Sequence, residues 1–383
     1  MTRYKFLSSL FYVKTVLTGV IPFRFNRSSL ILENNSVLLC YCFLVAIAGP
    51  LVRFGIYVTV FLKAYKGITV TFSYAVFMAL GDVLLFIVPP CYLLFRRTEM
   101  KHLYEIMKKL YRSLLLVDEF PLNLWFRKCV LFNLTYECVY GVIILCNIIC
   151  PRSAIDPNYL NMLPWTILGL LTKSTVLLIM YGAVQYVMMF VVKFQTILSI
   201  PESCTGPVQQ ELARQLHLGK HGYMELYELL WKASASMNVL FGVPLLAYLS
   251  WAFIHAISIY YVVCYKILVG WHNYAPHLLF LGGLDFIWTN FDLVYLIQIV
   301  GMCGLIQRES RKTQKLLLRL NLSPMDHKLK QNIEVFVLQT LHQPLEFTAC
   351  RMFTLDYTVL FSIAASVTNY LIILIQFEMA IEQ

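Results

Sequence analysis

Five polar side chains recur along the most C-terminal apolar segment of the chain. They are Thr358, Ser362, Ser366, Asn369 and Gln376, and at about 100° per residue they share one narrow face of a helix. A hydrocarbon environment offers hydroxyls and amides no hydrogen-bond partners, so this face must contact protein or water. The pattern therefore suits either the wall of a water-filled pore or hydrogen bonds that hold neighbouring helices together.

The composition places this segment in an integral membrane protein. Of the 383 residues, 59% are apolar and only 14% are charged, whereas a soluble domain is about a quarter charged. A helix needs about 20 residues to cross a hydrocarbon core of about 30 Å. The sequence therefore predicts an all-α fold with seven transmembrane helices, near 37–62, 68–95, 129–150, 160–194, 238–268, 277–305 and 353–377.

The basic residues of the loops predict the orientation of these helices. The N-terminal arm and the second, fourth and sixth loops carry 24 Lys and Arg residues, and the other three loops carry 3. Basic loops stay in the cytoplasm, so the N-terminus is predicted to be cytoplasmic and the C-terminus extracellular. This is opposite to the orientation of a G-protein-coupled receptor.

The cytoplasmic side is predicted to hold most of the loop mass. We expect helices over about 208–235 and 305–320, and a third that begins near Ser323 and ends before Pro344. The N-terminal arm is expected to lie at the membrane surface as a short amphipathic segment. The predicted divisions are the arm (1–36), six helices with cytoplasmic loops 96–128 and 195–237 (37–305), anchor helices (306–352), and the last helix with an external tail (353–383).

The segment around the last helix carries a recognisable pattern. From Phe347 it reads Phe-Thr-Ala-Cys-Arg-Met-Phe-Thr-Leu-Asp-Tyr, and the helix ends in Tyr370, five aliphatic residues, Gln376 and Phe377. This resembles the C-terminal signature of insect gustatory receptors, Thr-Tyr, five hydrophobic residues, Gln-Phe. Asn369 stands where Thr is usual, and Arg351 stands where a small residue, often Gly, is common. Seven spans, the inverted orientation and a long sixth loop extend the resemblance over the whole chain.

The resemblance implies a ligand-gated, non-selective cation channel that assembles as a homotetramer or as a heterotetramer with related subunits. Gln376 and Phe377 would form the gate at the outer end of the pore, because a ring of Phe closes a pore by dewetting it. The expected setting is the plasma membrane of gustatory sensory neurons, and bitter or aversive tastants are favoured. A sugar-responsive receptor and an odorant receptor channel are the alternatives. The implied pore-lining residues are Thr358, Ser362, Ser366, Asn369, Tyr370 and Ile373.

The resemblance also implies that small-molecule tastants bind within each subunit, among the helices that precede the last. Aromatic and polar side chains in these spans suit an amphipathic ligand, although packing alone explains many of them, because 15% of the chain is aromatic. Charges inside spans are rarer, and we predict that Lys173 pairs with an Asp or with Glu137. The candidate pocket residues are Glu137, Tyr140, Trp165, Lys173, Trp251, His255 and Trp288.

Other classes of protein fit less well. The sequence has no phosphate-binding glycine loop, zinc motif or nucleophile elbow, so no enzymatic activity, cofactor or metal is predicted. His217 and His221 are four residues apart, but two histidines make a weak metal site. The net charge of +10 indicates cytoplasmic loops that face anionic lipid rather than nucleic acid. A secondary transporter is the main alternative, but it would show an internal repeat.

Overall fold

A computed structural model describes most of the chain, and the statements below concern the residues that it describes. These are 12–26, 31–64, 81, 85–115, 131, 135, 136, 138, 139, 141, 142, 159–198, 223–269, 276–318 and 327–381.

The described chain is almost entirely helical. A helix over Leu85–Phe95 leads through Arg96 into α2, and two short antiparallel hairpins interrupt the helices. The strands are β1 (Phe23–Asn26), β2 (Ile31–Asn34), β3 (Thr348–Ala349) and β4 (Phe353–Thr354). The helices are α1 (Ser36–Ala64), α2 (Arg97–Leu115), α3 (Tyr159–Leu198), α4 (Tyr223–Val269), α5 (Pro276–Leu318), α6 (His327–His342) and α7 (Tyr357–Ile381).

Four segments among the described residues are long and apolar enough to cross a membrane. They are Ile167–Val192, Met224–Cys264, Thr289–Leu318 and Tyr357–Phe377, on α3, α4, α5 and α7. The first predicted span corresponds to α1, and the second ends in the helix Leu85–Phe95. Most of the predicted spans 68–95 and 129–150 lie outside the described residues.

Two helices run farther than predicted. α4 has 47 residues and α5 has 43, so at 1.5 Å per residue they are about 70 and 65 Å long, roughly twice the thickness of a hydrocarbon core. The helices predicted over about 208–235 and 305–320 are helical from 223 to 235 and from 305 to 318, but they are not separate elements, because they continue α4 and α5 without a break. The junction in α4 contains no Gly or Pro, and α5 continues through Gly301 and Gly304, which a helix tolerates at a cost of about 1 kcal/mol each.

The N-terminal arm packs into the bundle, which its prediction as a membrane-surface segment did not include. Thr15, Thr18 and Phe23 are at most 1% exposed, because the arm packs against α1 and α3. The Thr172 hydroxyl donates to the carbonyl of Thr18 over 3.4 Å, and the Lys14 ammonium donates to Ser174 Oγ over 3.0 Å. The arm combines apolar residues with hydroxyls, and the hydroxyls find partners on α3 that a sequence pattern does not show.

A tight hairpin joins α6 to α7. β3 pairs with β4, and the Met352 amide donates to the Ala349 carbonyl over 2.9 Å. Both central residues of the turn have left-handed backbones, with φ of 52° at Cys350 and 60° at Arg351. A turn with positive φ at both positions strongly favours glycine, and any other residue adds strain. The small residue that is common at position 351 in the gustatory receptor signature therefore has a backbone explanation.

We expect Arg351→Gly to stabilise the fold by about 0.5–1 kcal/mol. The substitution removes the strain of a left-handed backbone, which costs about 1–2 kcal/mol at residues other than glycine. Part of this gain is lost because glycine also increases the conformational entropy of the unfolded chain. The measurement is the thermal unfolding midpoint of the detergent-solubilised protein. Met352→Gly, at a position that is 71% exposed and outside the left-handed region, is the control and should give no gain. A lower midpoint for Arg351→Gly would contradict the argument.

Candidate functional site: the last helix and an intramembrane cavity

One side of α7 packs on its own subunit. Leu360 and Ile363 contact the main core, Val367 is buried at 9% exposure, and Leu371 and Ile375 are half-buried. At about 100° per residue these five side chains lie within one third of the helix circumference. They face α4 and α5, the helices that α7 contacts.

The polar face lies on the other side of α7. Its centre is about 170° from the centre of the packed face at 100° per residue, and Thr358, Ser362, Asn369 and Gln376 are exposed. Ser366 is half-buried. The Ser362 hydroxyl donates to the Thr358 carbonyl over 2.8 Å, a bond within the helix. These side chains therefore do not hold α7 to its own subunit.

The outer end of α7 carries the remaining predicted pore and gate residues. Tyr370 stands at the border of the packed face, where its ring meets Phe253 of α4 edge-on at 6.0 Å between centroids. Ile373 is 46% exposed and Phe377 is 66% exposed, and Gln376 is exposed beside them. In a single chain these groups contact little protein.

The signature before α7 builds the joint that starts this helix. Phe347, Ala349 and Leu355 are at most 3% exposed and fix the hairpin to the core. Asp356 caps α7, since its carboxylate accepts from the Thr358 hydroxyl and from the Thr358 amide over 2.9 Å. The hydrogen bond from the Thr358 hydroxyl, aided by the two backbone amides and by Arg311, lowers the pKa of Asp356 below its usual value. The Tyr357 ring lies over Gly301 and Gly304 of α5.

A charged pair lies inside the bundle between α3 and α5. The Lys173 ammonium bonds to the Asp292 carboxylate, and the two side chains are 7% and 13% exposed. The Tyr136 hydroxyl donates to the same carboxylate over 3.1 Å. This is one of the pairs that the sequence predicted for Lys173, and Glu137 lies outside the described residues. Each charge is neutralised by its partner, as burial in a bundle requires.

The pair forms one end of a narrow cavity. Trp251 stacks on His255 with 5.3 Å between ring centroids, and His255 Nδ1 lies 3.0 Å from the Thr289 hydroxyl. The Trp251 ring also lies directly against Gly81, where an added Cβ would come within 2.0 Å of the ring. The free space is about 10 Å³, room for about one water molecule. Lys173, Leu177, Tyr248, Trp251, Ala252, His255, Thr289, Asp292, Leu293 and Leu296 line it.

Three of the seven predicted pocket residues thus come together, namely Lys173, Trp251 and His255. Tyr140, like Glu137, lies outside the described residues, and the side chains of Trp165 and Trp288 are likewise outside what the structure describes. Sequence reasoning missed Thr289 and Gly81. Thr289 lies three residues before Asp292 on α5, and this spacing could have indicated it. No local feature of the sequence indicates that Gly81 contacts the Trp251 ring.

Comparison with known proteins places the chain in a family. Residues 8–381 match the family model described as 7tm chemosensory receptor. Gustatory receptor 68a of Drosophila melanogaster is 29% identical over 37% of this chain and 36% of its own length. From the same organism, the gustatory receptor for sugar taste 43a and the gustatory receptor for bitter taste 66a are each 28% identical, over 40% and 39% of this chain. The matches span 28% to 36% of these curated relatives.

The fold matches a solved structure over nearly its whole length. The insect olfactory receptor OR5 from Machilis hrabei superposes with a TM-score of 0.65 at 9% identity, covering 98% of this chain and 99% of that one. The same receptor in complex with eugenol gives 0.62. The predicted all-α membrane fold of the insect gustatory and odorant receptors is confirmed, and membership of a receptor family agrees with the prediction that the chain is not an enzyme. The chain belongs to the 7tm chemosensory receptor family and, within it, to the gustatory receptors.

Proposed function

We propose that the chain is a subunit of a tetrameric, ligand-gated, non-selective cation channel that small-molecule tastants open. The observation that carries the proposal is the position of the polar face of α7, which points away from its own subunit. Lipid offers this face no hydrogen bonds, so further copies of α7 and the water between them are its natural surroundings. Thr358, Ser362, Ser366, Asn369, Tyr370 and Ile373 would line the conduit.

The flanks of α7 support assembly with other subunits. Phe361 and Ile372 are 74% and 49% exposed and lie beside the polar face. Below the bilayer, α6 exposes Val335, Leu338 and Leu341 on the side opposite its buried Phe336. We propose that the segment 306–352 anchors neighbouring subunits, of the same or a related chain, through such surfaces.

The gate belongs at the outer end of the conduit. Four Phe377 rings brought together around an axis would exclude water, and four Gln376 amides would replace part of the hydration shell of a passing cation. The Asn369 amide takes the place of the usual Thr about two turns below, where it adds a second polar ring. Permeant cations would meet no fixed charge between these rings.

The tastant site of each subunit would be the cavity around Trp251, His255 and the Lys173–Asp292 pair. Its walls combine aromatic faces with a few polar groups, as small-molecule sites do. The space is small without a ligand, so binding requires side chains to move. Sugar-named and bitter-named relatives match at the same identity, so bitter or aversive compounds stay a prediction. The site of action would be the plasma membrane of gustatory neurons.

Current recordings from cells that express the chain, alone and with related subunits, test this function against a panel of tastants. Tastant-evoked currents with unitary conductance support a channel. Saturable uptake without such conductance would favour a secondary transporter instead.

Cysteine substitution tests the two sides of α7. We expect water-borne methanethiosulfonate reagents to modify Ser362→Cys and Asn369→Cys at least about tenfold faster than Ile363→Cys and Val367→Cys, because thiols react as thiolates that need water. The parent chain provides the background rate from its native cysteines. Equal rates on both sides would contradict the assignment of the polar face to a conduit.

Removal of the gate ring should let the pore conduct without ligand. Phe377→Ala takes away the apolar bulk that dewets the constriction, so we expect unliganded current per surface receptor to rise about tenfold or more. Phe361→Ala removes the same ring from a face about 160° away and should leave unliganded current unchanged. An increase of the same size in both variants would argue against a gate at position 377.

Charge exchange tests the wall of the cavity. Asp292→Lys or Lys173→Asp leaves like charges buried together, and loss of one partner of a buried pair costs about 3–5 kcal/mol. We expect low surface abundance and a lower unfolding midpoint for each single variant, with recovery when both are combined. Exchange of Lys232 and Glu228, an exposed pair on α4, should cost about 0.5 kcal/mol or less. A double variant no better than the singles would rule out the pair.

A further inference from the structure

The joint between α6 and α7 is held by a side chain that imitates a neighbouring strand. Asn238 of α4 donates from Nδ2 to the Glu346 carbonyl over 2.7 Å and accepts from the Thr348 amide at Oδ1 over 2.9 Å. One amide group thus satisfies two backbone groups at the start of the hairpin. No other residue type of that size offers both a donor and an acceptor in this geometry.

One turn above Asn238, Gly242 gives the hairpin its place on α4. A Cβ at this position would lie 3.0 Å from the Cys350 backbone nitrogen. The neighbouring atom is main chain, so the hairpin itself would have to shift to make room. Asn238 therefore fixes the position of the hairpin along α4, and Gly242 allows its close approach to that helix.

Three features suit this joint to movement rather than to a rigid corner. Its turn carries two left-handed residues other than glycine, Cys350 and Arg351, and such strain persists only where surrounding contacts hold it. A largely apolar cavity of about 20 Å³ lies beneath it, between α3, α4 and α5. Asp356 then starts α7 directly after the hairpin, so a shift of the hairpin shifts the helix.

α4 also connects the joint to the candidate tastant cavity. Trp251 lies nine residues beyond Gly242 on the same helix, about 14 Å along its axis. Pro244 stands between them inside α4, and its missing N–H leaves the Leu240 carbonyl without its usual helical partner. This turn bends more easily than its neighbours, so a movement of the cavity wall can tilt the part of α4 that holds the hairpin.

We infer that Asn238 and Gly242 are positioning residues that hold α7 in its unliganded arrangement and transmit movement of α4 to it. The inference rests on the proposed role of α7 as the pore-lining helix. Weakening the hold should favour the other arrangement of α7 even without a tastant, because contacts present in one state alone set the balance between two states.

The test compares two glycine substitutions on the Asn369→Cys background. Gly242→Ala pushes on the hairpin, whereas Gly182→Ala on α3 has nothing within 4 Å of the new Cβ and adds the same helix propensity. We expect Gly242→Ala to raise the rate at which an impermeant methanethiosulfonate modifies Cys at 369, and the unliganded current per surface receptor, by about fivefold, because the close contact with the Cys350 nitrogen destabilises the arrangement that holds the hairpin against α4. Gly182→Ala should change neither quantity.

Asn238→Ala provides a second route to the same result, because it removes both hydrogen bonds without adding bulk. Surface biotinylation normalises each measurement to the receptors at the membrane. Equal modification rates and equal unliganded currents in the Gly242→Ala, Asn238→Ala and Gly182→Ala chains would overturn the inference while leaving the pore proposal intact. Absence of modification at position 369 in every chain would instead contradict the pore proposal itself.

Discussion

A membrane interior offers no hydrogen bonds to a polar side chain, and this constraint organises the whole molecule. Each polar group within the bundle must find a partner, and the partners show which surfaces belong together. Thr18 of the N-terminal arm meets Thr172 of α3, and Lys173 meets Asp292. The polar face of α7 has no such counterpart on its own subunit among the described residues. The same rule therefore indicates that the first two sites are satisfied within one subunit, whereas the polar face of α7 needs hydrogen-bond partners from outside its subunit.

α4 connects these places because it runs through both the membrane and the cytoplasmic layer. Its upper part contributes Trp251 and His255 to the cavity, and Phe253 meets Tyr370 of α7. Its lower part packs on α2 and holds the hairpin through Asn238. A separate cytoplasmic helix joined by a flexible loop would not couple these contacts. The continuous 47-residue helix therefore carries the candidate tastant cavity, the joint and the contact with α7.

Sequence reasoning succeeded where a property depends on local composition or period. Hydropathy located the four spans found among the described residues, helical period placed Thr358, Ser362 and Asn369 on one face, and the rarity of intramembrane charge indicated a partner for Lys173. It failed where distant segments decide the outcome. Burial of Thr18 depends on the hydroxyls of Thr172 and Thr175, 154 and 157 residues away. The continuity of α4 across residues 235–238 has no local signal except that no Gly or Pro stands there. The left-handed backbone at Arg351 could not be predicted from the sequence, because arginine normally avoids that conformation.

The loose attachment of α7 to its own subunit is what the proposed pore-lining role requires. In the most apolar stretch of α3, 61% of the residues are buried inside the subunit, so this helix is firmly held. Most side chains of α7 are exposed in the single chain, so few contacts oppose its rotation or tilt. A helix held as firmly as α3 would need far more ligand binding energy to move. By contrast, α7 is held to its own subunit by one apolar strip, by the cap at its start and by a strained hairpin. The binding free energy of a small molecule is then enough to move it, provided that neighbouring subunits contact its other faces.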